Sequence, residues 1–403
     1  MALMPVTDAL AAVLRGADPL PEEMVTLDAA WQRVLARDAA ARRTQPPQAM
    51  SAMDGYAVRA ADAADLSARL KVIGEVAAGR PFDRTVGNGE AVRIFTGGVI
   101  PDGADAVIIQ EDTTVDGDQI GITETATKGR HIRPAGADFS EGDVLLKRGR
   151  RLTDRDLSLA AGMNYPEVPV HRRPKVAVLG TGDELVMPGI IPGPGQIVYS
   201  NGYGVRALAR AEGAEVVDLG IAADTVEATV NGIRRAREAN ADILITMGGA
   251  SVGDHDLVKQ SLETEGVEMA FWRIAMRPGK PMMHGRLGGM RVIGLPGNPV
   301  SSYVCAFLFL VPLIRALSGR DDVNHVRASA LLGRDLAAND QREDYLRARL
   351  EAREDGTLIA LPVSHQDSSL LGNLAAARAL VIRPPFAAAA PEGSACEILR
   401  LPE

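Results

Sequence analysis

The chain has 403 residues, enough for roughly two to four domains. Its 44 Lys+Arg against 52 Asp+Glu leave a net charge of −8, and aromatics make up only 4%, so it has neither the basic excess nor the stacking platforms of a general nucleic-acid binder. A hydrophobic share of 46% with 24% charged residues describes a folded globular chain rather than a disordered one.

Met1–Pro5 lacks a basic stretch followed by an apolar one, so no secretory signal is expected and the default location is the cytoplasm. Leu27, Ala30, Trp31, Val34 and Leu35 recur at helical spacing, which predicts a helix ended by Thr44-Gln45-Pro46-Pro47. From Ser51 to about Asp138, short β-rich runs alternate with Gly, Asp and Pro turns: Leu70–Ile73, Ala91–Phe95, Ala106–Ile109 and Gln119–Ile122. Leu152–Met163 reads as helix again, so a discontinuous helical domain is interrupted by a β-rich insertion.

Beyond Lys175 the rhythm changes. Strand Val176–Leu179 ends in Gly180-Thr181-Gly182, and helix Asn201–Glu212 leads to strand Glu215–Leu219 and helix Thr225–Ala239. Strand Asp242–Met247 ends in Gly248-Gly249, a helix starts near Asp254, and strand Arg291–Leu295 ends in Pro296-Gly297-Asn298-Pro299. This alternation predicts a parallel, doubly wound α/β sheet whose ligand sits at the carboxyl ends of the strands. The apolar run Tyr303–Ile314 is too short to cross a bilayer and contains Pro312, so a buried helix and no membrane are expected. Tyr345–Glu351, Leu358–Val363, Leu380–Arg383 and Ala395–Leu401 predict a small C-terminal β domain. The expected division is 1–45 with 139–172, then 46–138, 173–320 and 321–403.

Chemistry is sparse at the usual places. Cys305 and Cys396 stand alone, which removes a zinc or disulfide framework. Gly180–Leu185 has Leu185 where a dinucleotide fingerprint needs its third glycine, and Gly279-Lys280 is followed by Pro281 rather than the Ser or Thr of a phosphate loop. Gly249-Ala250-Ser251-Val252-Gly253 matches the nucleophile elbow of serine hydrolases, and Ser251, Asp256 and His284 follow in the required order. The same glycine-rich loops also suit an anion, since backbone N–H groups converge where a strand hands over to a helix. Three such loops on one sheet edge, with Asp183, Glu184, Asp224, Asp254 and Asp256 beside them, point to Mg²⁺ shared between carboxylates and substrate phosphates. Each acid also has an ordinary reading as a helix-start residue or turn former. Arg277-Pro278-Gly279-Lys280-Pro281 adds two fixed cations.

Longer strings carry more. Ser51–Arg59 (SAMDGYAVR), Thr96–Ala106 (TGGVIPDGADA), Gly180–Leu185 (GTGDEL), Met247–Asp256 (MGGASVGDHD), Arg277–Pro281 (RPGKP) and Leu295–Ser301 (LPGNPVS) resemble, in order, the MoeA family of molybdopterin molybdenumtransferases, relatives of the gephyrin E-domain. The resemblance implies a homodimer of four-domain subunits: a discontinuous helical domain, a β-rich insertion, a molybdopterin-binding α/β domain and a C-terminal β-barrel. It implies Mg²⁺-dependent insertion of molybdenum, with adenylyl-molybdopterin and molybdate giving molybdenum cofactor and AMP. The active cleft would lie between the α/β domain of one subunit and the β-rich domain of the other. Carried over residue by residue, Glu184, Asp224 and Asp256 would serve the metal. Gly249, Ser251, Arg277, Lys280 and Ser301 would hold the anions, with Pro296 and Pro299 shaping the loop. Asp54, Thr96 and Asp138 would reach in from the partner. A molybdopterin adenylyltransferase upstream and molybdoenzyme maturation proteins downstream would be the protein partners. Adenylyl transfer and a non-catalytic pterin-binding scaffold remain as alternatives. Gln48-Ala49-Met50 and Gly202-Tyr203 depart from the family pattern without removing an implied catalytic side chain.

Overall fold

A run of β-α alternation must bury the strands between two helical layers, and residues 173–320 do so. In the computed structural model, which describes residues 3–77, 79–248 and 257–402, six strands form one sheet. Their order is Glu215–Ala222, Lys175–Thr181, Ile243–Met247, Met290–Leu295, Met283–Leu287 and Glu268–Phe271. The first four are parallel, Met283–Leu287 runs against them, and Glu268–Phe271 pairs antiparallel to it. The all-parallel expectation is therefore corrected at one edge. Only Gly288-Gly289 joins Met283–Leu287 to Met290–Leu295, a link too short for a crossover, so the chain reverses. Gly288 supplies the positive φ of 58° that this turn requires.

One face of the sheet packs on helices Val6–Leu14, Asn201–Ala211 and the apolar stretch from Pro299 to Leu317. The other packs on Val226–Glu238 and Leu257–Thr264. The apolar stretch is long and greasy enough to cross a membrane by length alone, yet 83% of it is buried inside the protein, so it is a core helix. It runs as helix Pro299–Cys305, a π segment Ala306–Leu310 and helix Val311–Leu317. Pro312 has no N–H to give the preceding turn, which is where a widened register costs least.

The helix expected around Leu27–Leu35 is not formed. Only Leu27–Ala29 makes a 3-10 turn, and Gln32 takes a positive φ of 59°. The backbone finds its partners elsewhere: the Gln32 N–H donates to Leu152 O at 3.0 Å, Leu35 to Arg150 O at 3.0 Å and Ala36 to Pro169 O at 3.0 Å. Ala30 and Leu35 still face a common core with Phe139, Leu146, Leu152 and Met163, so the apolar spacing reports burial without a helix. Strand Glu22–Thr26 pairs with Glu167–His171 across this unit. Helix Asp154–Gly162 forms as expected, opened by a capping box between Thr153 and Asp156.

Residues 46–138 build a six-stranded sheet in the order Ala106–Ile109, Gly55–Val58, Glu90–Ile94, Arg69–Val76, Gln119–Ile122 and Thr113–Asp116. At the C-terminus, Glu343–Ala352, Leu358–Pro362, Arg327–Leu332, Ala395–Arg400 and Ala379–Arg383 close into a barrel, because the last strand pairs back on the first. Strand Met276–Arg277 leaves the α/β unit to pair with the barrel strand Glu343–Ala352, which sets Arg277 opposite Asp344.

Candidate active site

Strands Lys175–Thr181, Ile243–Met247 and Met290–Leu295 are neighbours in the sheet, so the three loops at their carboxyl ends meet. Together they wall a cleft of about 650 Å³, a size suited to a cofactor-sized ligand. Thr181 and Glu184 come from the first loop, Met247 and Gly248 from the second, and Pro296, Gly297, Asn298, Pro299 and Ser301 from the third. Gly248 has a φ of 102°, and a Cβ there would strike the Thr181 carbonyl, so the two loops touch only because the side chain is absent. Asn201 Nδ2 donates to Gly297 O at 2.6 Å and ties the start of helix Asn201–Ala211 to the third loop.

Of the expected site residues, Glu184, Pro296, Pro299 and Ser301 line this cleft. Asp224 is outside its wall but joined to the same edge: the Asp183 N–H donates to Asp224 Oδ2 at 3.3 Å, and the Asp224 N–H donates to Asp183 Oδ1 at 3.0 Å. Gly249, Ser251 and Asp256 lie outside the described residues. Among the described residues no three of His, Cys, Asp and Glu gather to hold a metal ion. Glu184 and Asp224 nevertheless offer exposed, hard carboxylate oxygens at one edge, and Mg²⁺ is commonly held by one or two carboxylates with substrate phosphates and water completing the shell.

Arg277 is not a free cation. Its Nε and Nη2 donate to the two Asp344 carboxylate oxygens at 2.9 and 2.5 Å, and Asp340 lies 3.8 Å from Nη1. The strand pairing that sends Met276–Arg277 to the barrel makes this fork inevitable. Lys280 is exposed and its ammonium has no partner among the described residues, while Pro281 beside it lines the cleft.

Asp54 and Thr96 meet on the β-rich unit, and among the described residues no hydrogen bond or ion pair joins Asp138 to either. Asp54 Oδ1 accepts from the Thr96 N–H and from Thr96 Oγ1, both at 2.7 Å. These two bonds hold the Asp54 carboxyl below its ordinary range. The Asp138 N–H donates to Gln45 O at 3.0 Å. All three side chains are exposed, and among the described residues no hydrogen bond or ion pair joins 46–138 to 173–320.

His284, the third member of the serine-hydrolase order, is 0% exposed in the sheet, with Nδ1 at 3.0 Å from Val292 O. It faces the core and cannot serve as a base in the cleft.

Several cleft residues were not foreseen. Ser369 arrives from the C-terminal barrel, 68 positions past Ser301. Asn298 and Asn201 bind across loops, and Tyr199 packs its ring 2.8 Å from where a Cβ on Gly180 would stand. Burial pushes the Tyr199 phenol up to about 12. Asn298 sits within the quoted string Leu295–Ser301 and Asn201 opens a predicted helix, whereas Ser369 carries no local signal.

Known proteins match this arrangement throughout. The family model for the MoeA N-terminal region (domain I and II) matches residues 4–163, that for the probable molybdopterin binding domain 177–316, and that for the MoeA C-terminal region (domain IV) 329–401. The molybdopterin molybdenumtransferase of Haemophilus influenzae is 39% identical over 356 residues, 87% of each chain. That of Bacillus subtilis is 33% identical over 408 residues, covering 99% of this chain and 94% of its own. The solved molybdopterin biosynthesis moea protein from Pyrococcus horikosii superposes with a TM-score of 0.87 at 32% identity over 100% of both chains. With every unit matched, in order and across the full fold, the chain belongs to the MoeA family, the family of the molybdopterin molybdenumtransferases.

Proposed function

We propose that this protein inserts molybdenum from molybdate into adenylyl-molybdopterin, giving molybdenum cofactor and AMP, with Mg²⁺ as cofactor. The observation that carries the reading is the cleft where three strand-end loops bring Glu184, Pro296, Pro299 and Ser301 together beneath a wall from the C-terminal barrel. Molybdate, a dithiolene and a phosphoanhydride all repel one another, so a chain of net charge −8 must neutralise them locally. Bound Mg²⁺ would supply that charge between Glu184, Asp224, Asp256 and the phosphate oxygens. Lys280, exposed and without a side-chain partner among the described residues, stands beside the cleft-lining Pro281 where it can approach an oxyanion, and Ser301 presents a hydroxyl from the loop that Pro296 and Pro299 shape. Arg277 acts through its fork to Asp344, holding the Arg277–Pro281 turn against the barrel.

Asp54 and Thr96 complete the site from a second subunit. Thr96 donates two hydrogen bonds to Asp54, which fixes a charged carboxylate for display across an interface. The working unit is thus a homodimer, cytoplasmic, supplied by a molybdopterin adenylyltransferase and serving molybdoenzyme maturation.

The test is direct. Purified protein with adenylyl-molybdopterin and Mg²⁺ should release AMP faster when molybdate is present, and Asp256→Ala should abolish that release while leaving the circular dichroism unchanged. ATP-dependent adenylation of molybdopterin would favour the transferase of the preceding step. Full turnover by Asp256→Ala at saturating metal and substrate removes that residue from the site.

A further inference from the structure

The barrel wall of the cleft rests on a residue that the scheme above does not use. Arg347, in strand Glu343–Ala352, is 0% exposed and is the largest fully buried side chain among the described residues. It has no ion-pair partner among them. Its Nη2 donates to the backbone carbonyls of Asp367 at 3.1 Å and His365 at 3.4 Å, while Nε and Nη1 have no hydrogen-bond partner there. Gln366 clasps the same stretch: its Oε1 accepts the Arg347 N–H at 3.0 Å, and its Nε2 donates to Arg347 O at 3.0 Å and Val363 O at 3.1 Å.

From these anchors the loop reaches the cleft. Ser368 O accepts the Val300 N–H at 3.0 Å, Ser368 Oγ accepts from Asn298 Nδ2 at 2.8 Å, and Ser369 lines the cavity. Burial disfavours the guanidinium charge, and the Asp367 carboxylate opposes this only from beyond ion-pair distance, so the cation is costly to keep there. Arg347 Nη2 does what an apolar side chain cannot: it ties the carbonyls of His365 and Asp367, two residues apart in one loop, to the same barrel strand.

We propose that Arg347, together with Gln366, is a positioning residue that pins the 363–370 loop against the start of the apolar helix, so that the barrel presents a fixed wall to the bound oxyanion. This rests on the insertion reading, because the KM for molybdate reports the wall.

Arg347→Met keeps a similar volume and removes both hydrogen bonds to the loop. The expected result is a protein that still unfolds cooperatively, with amide exchange at Val300 and across 363–370 faster by about tenfold. Its KM for molybdate should rise about fivefold or more while kcat stays within about twofold. Native exchange at Val300 in this variant overturns the proposal. Faster exchange with an unchanged KM also overturns it and assigns Arg347 to barrel packing alone. If Arg347→Met does not fold, Gln366→Ala decides by the same two readouts, since it leaves the barrel core untouched. A wild-type protein that releases no AMP with molybdate fails the insertion reading instead, and exchange at Val300 still judges the pinning.

Discussion

Single side chains here do opposite things with similar chemistry. Asp54 is exposed and kept ionised by two donors from Thr96, whereas His284 is wholly buried and kept neutral. Burial pushes the His284 imidazole down to about 4, against the partial support of the Val292 carbonyl. As pH falls below the ordinary value of about 6.5, the unfolded chain takes up this proton before the folded one does. Stability should therefore decline between about pH 6.5 and 4 and lose nothing further from this group below that. The full effect is on the order of 3 kcal/mol. Urea midpoints at pH 7 and 4.5 for the wild type and His284→Gln check it: the variant should lose about 2–3 kcal/mol less on acidification. Equal losses would show that folding leaves the His284 pKa where it is in the unfolded chain. The sequence placed His284 in a hydrolytic order because it shows spacing but not which face of a strand a residue occupies.

At the scale of elements, junctions matter more than the helices and strands they join. Glu212 caps helix Asn201–Ala211 and accepts from Arg315 Nε and Nη2 at 2.9 and 2.8 Å and from Arg320 Nη1 at 2.7 Å. Burial alone would raise its pKa, but the Arg315 hydrogen bonds and the nearby arginines hold it below the ordinary range. The cluster locks that helix to the end of the apolar helix, with Glu212 only 12% exposed. Glu212→Ala leaves the partly buried Arg315 unpaired and should cost about 3 kcal/mol in chemical denaturation. A loss below about 1 kcal/mol would mean the pair is solvated. Helix Asp154–Gly162 was readable because its capping box lies within four residues, and Asn201–Ala211 because its apolar face repeats. The Leu27–Leu35 pattern misled because its backbone bonds go to residues more than a hundred positions away.

For the whole molecule, the two loci of acids stand on different units, and in the proposed dimer they would meet across subunits. Mixing Asp54→Ala with Glu184→Ala after subunit exchange tests this. Half of the dimers would be mixed, each with one intact site, and activity should recover to about one quarter of wild type. A mixture as inactive as its parents would place the whole site within one chain. Sequence by itself determined the family, the α/β layer and the loops at its carboxyl edge, because these are written in contiguous strings and in the periodicity of burial. Only the tertiary structure decided that Arg277 is held by Asp344, that His284 points into the core, that the sheet turns antiparallel at one edge, and that Ser369 and Arg347 shape the cleft. Those outcomes depend on which strands pair and which loops meet, and pairing is settled by packing across long separations that no local pattern encodes.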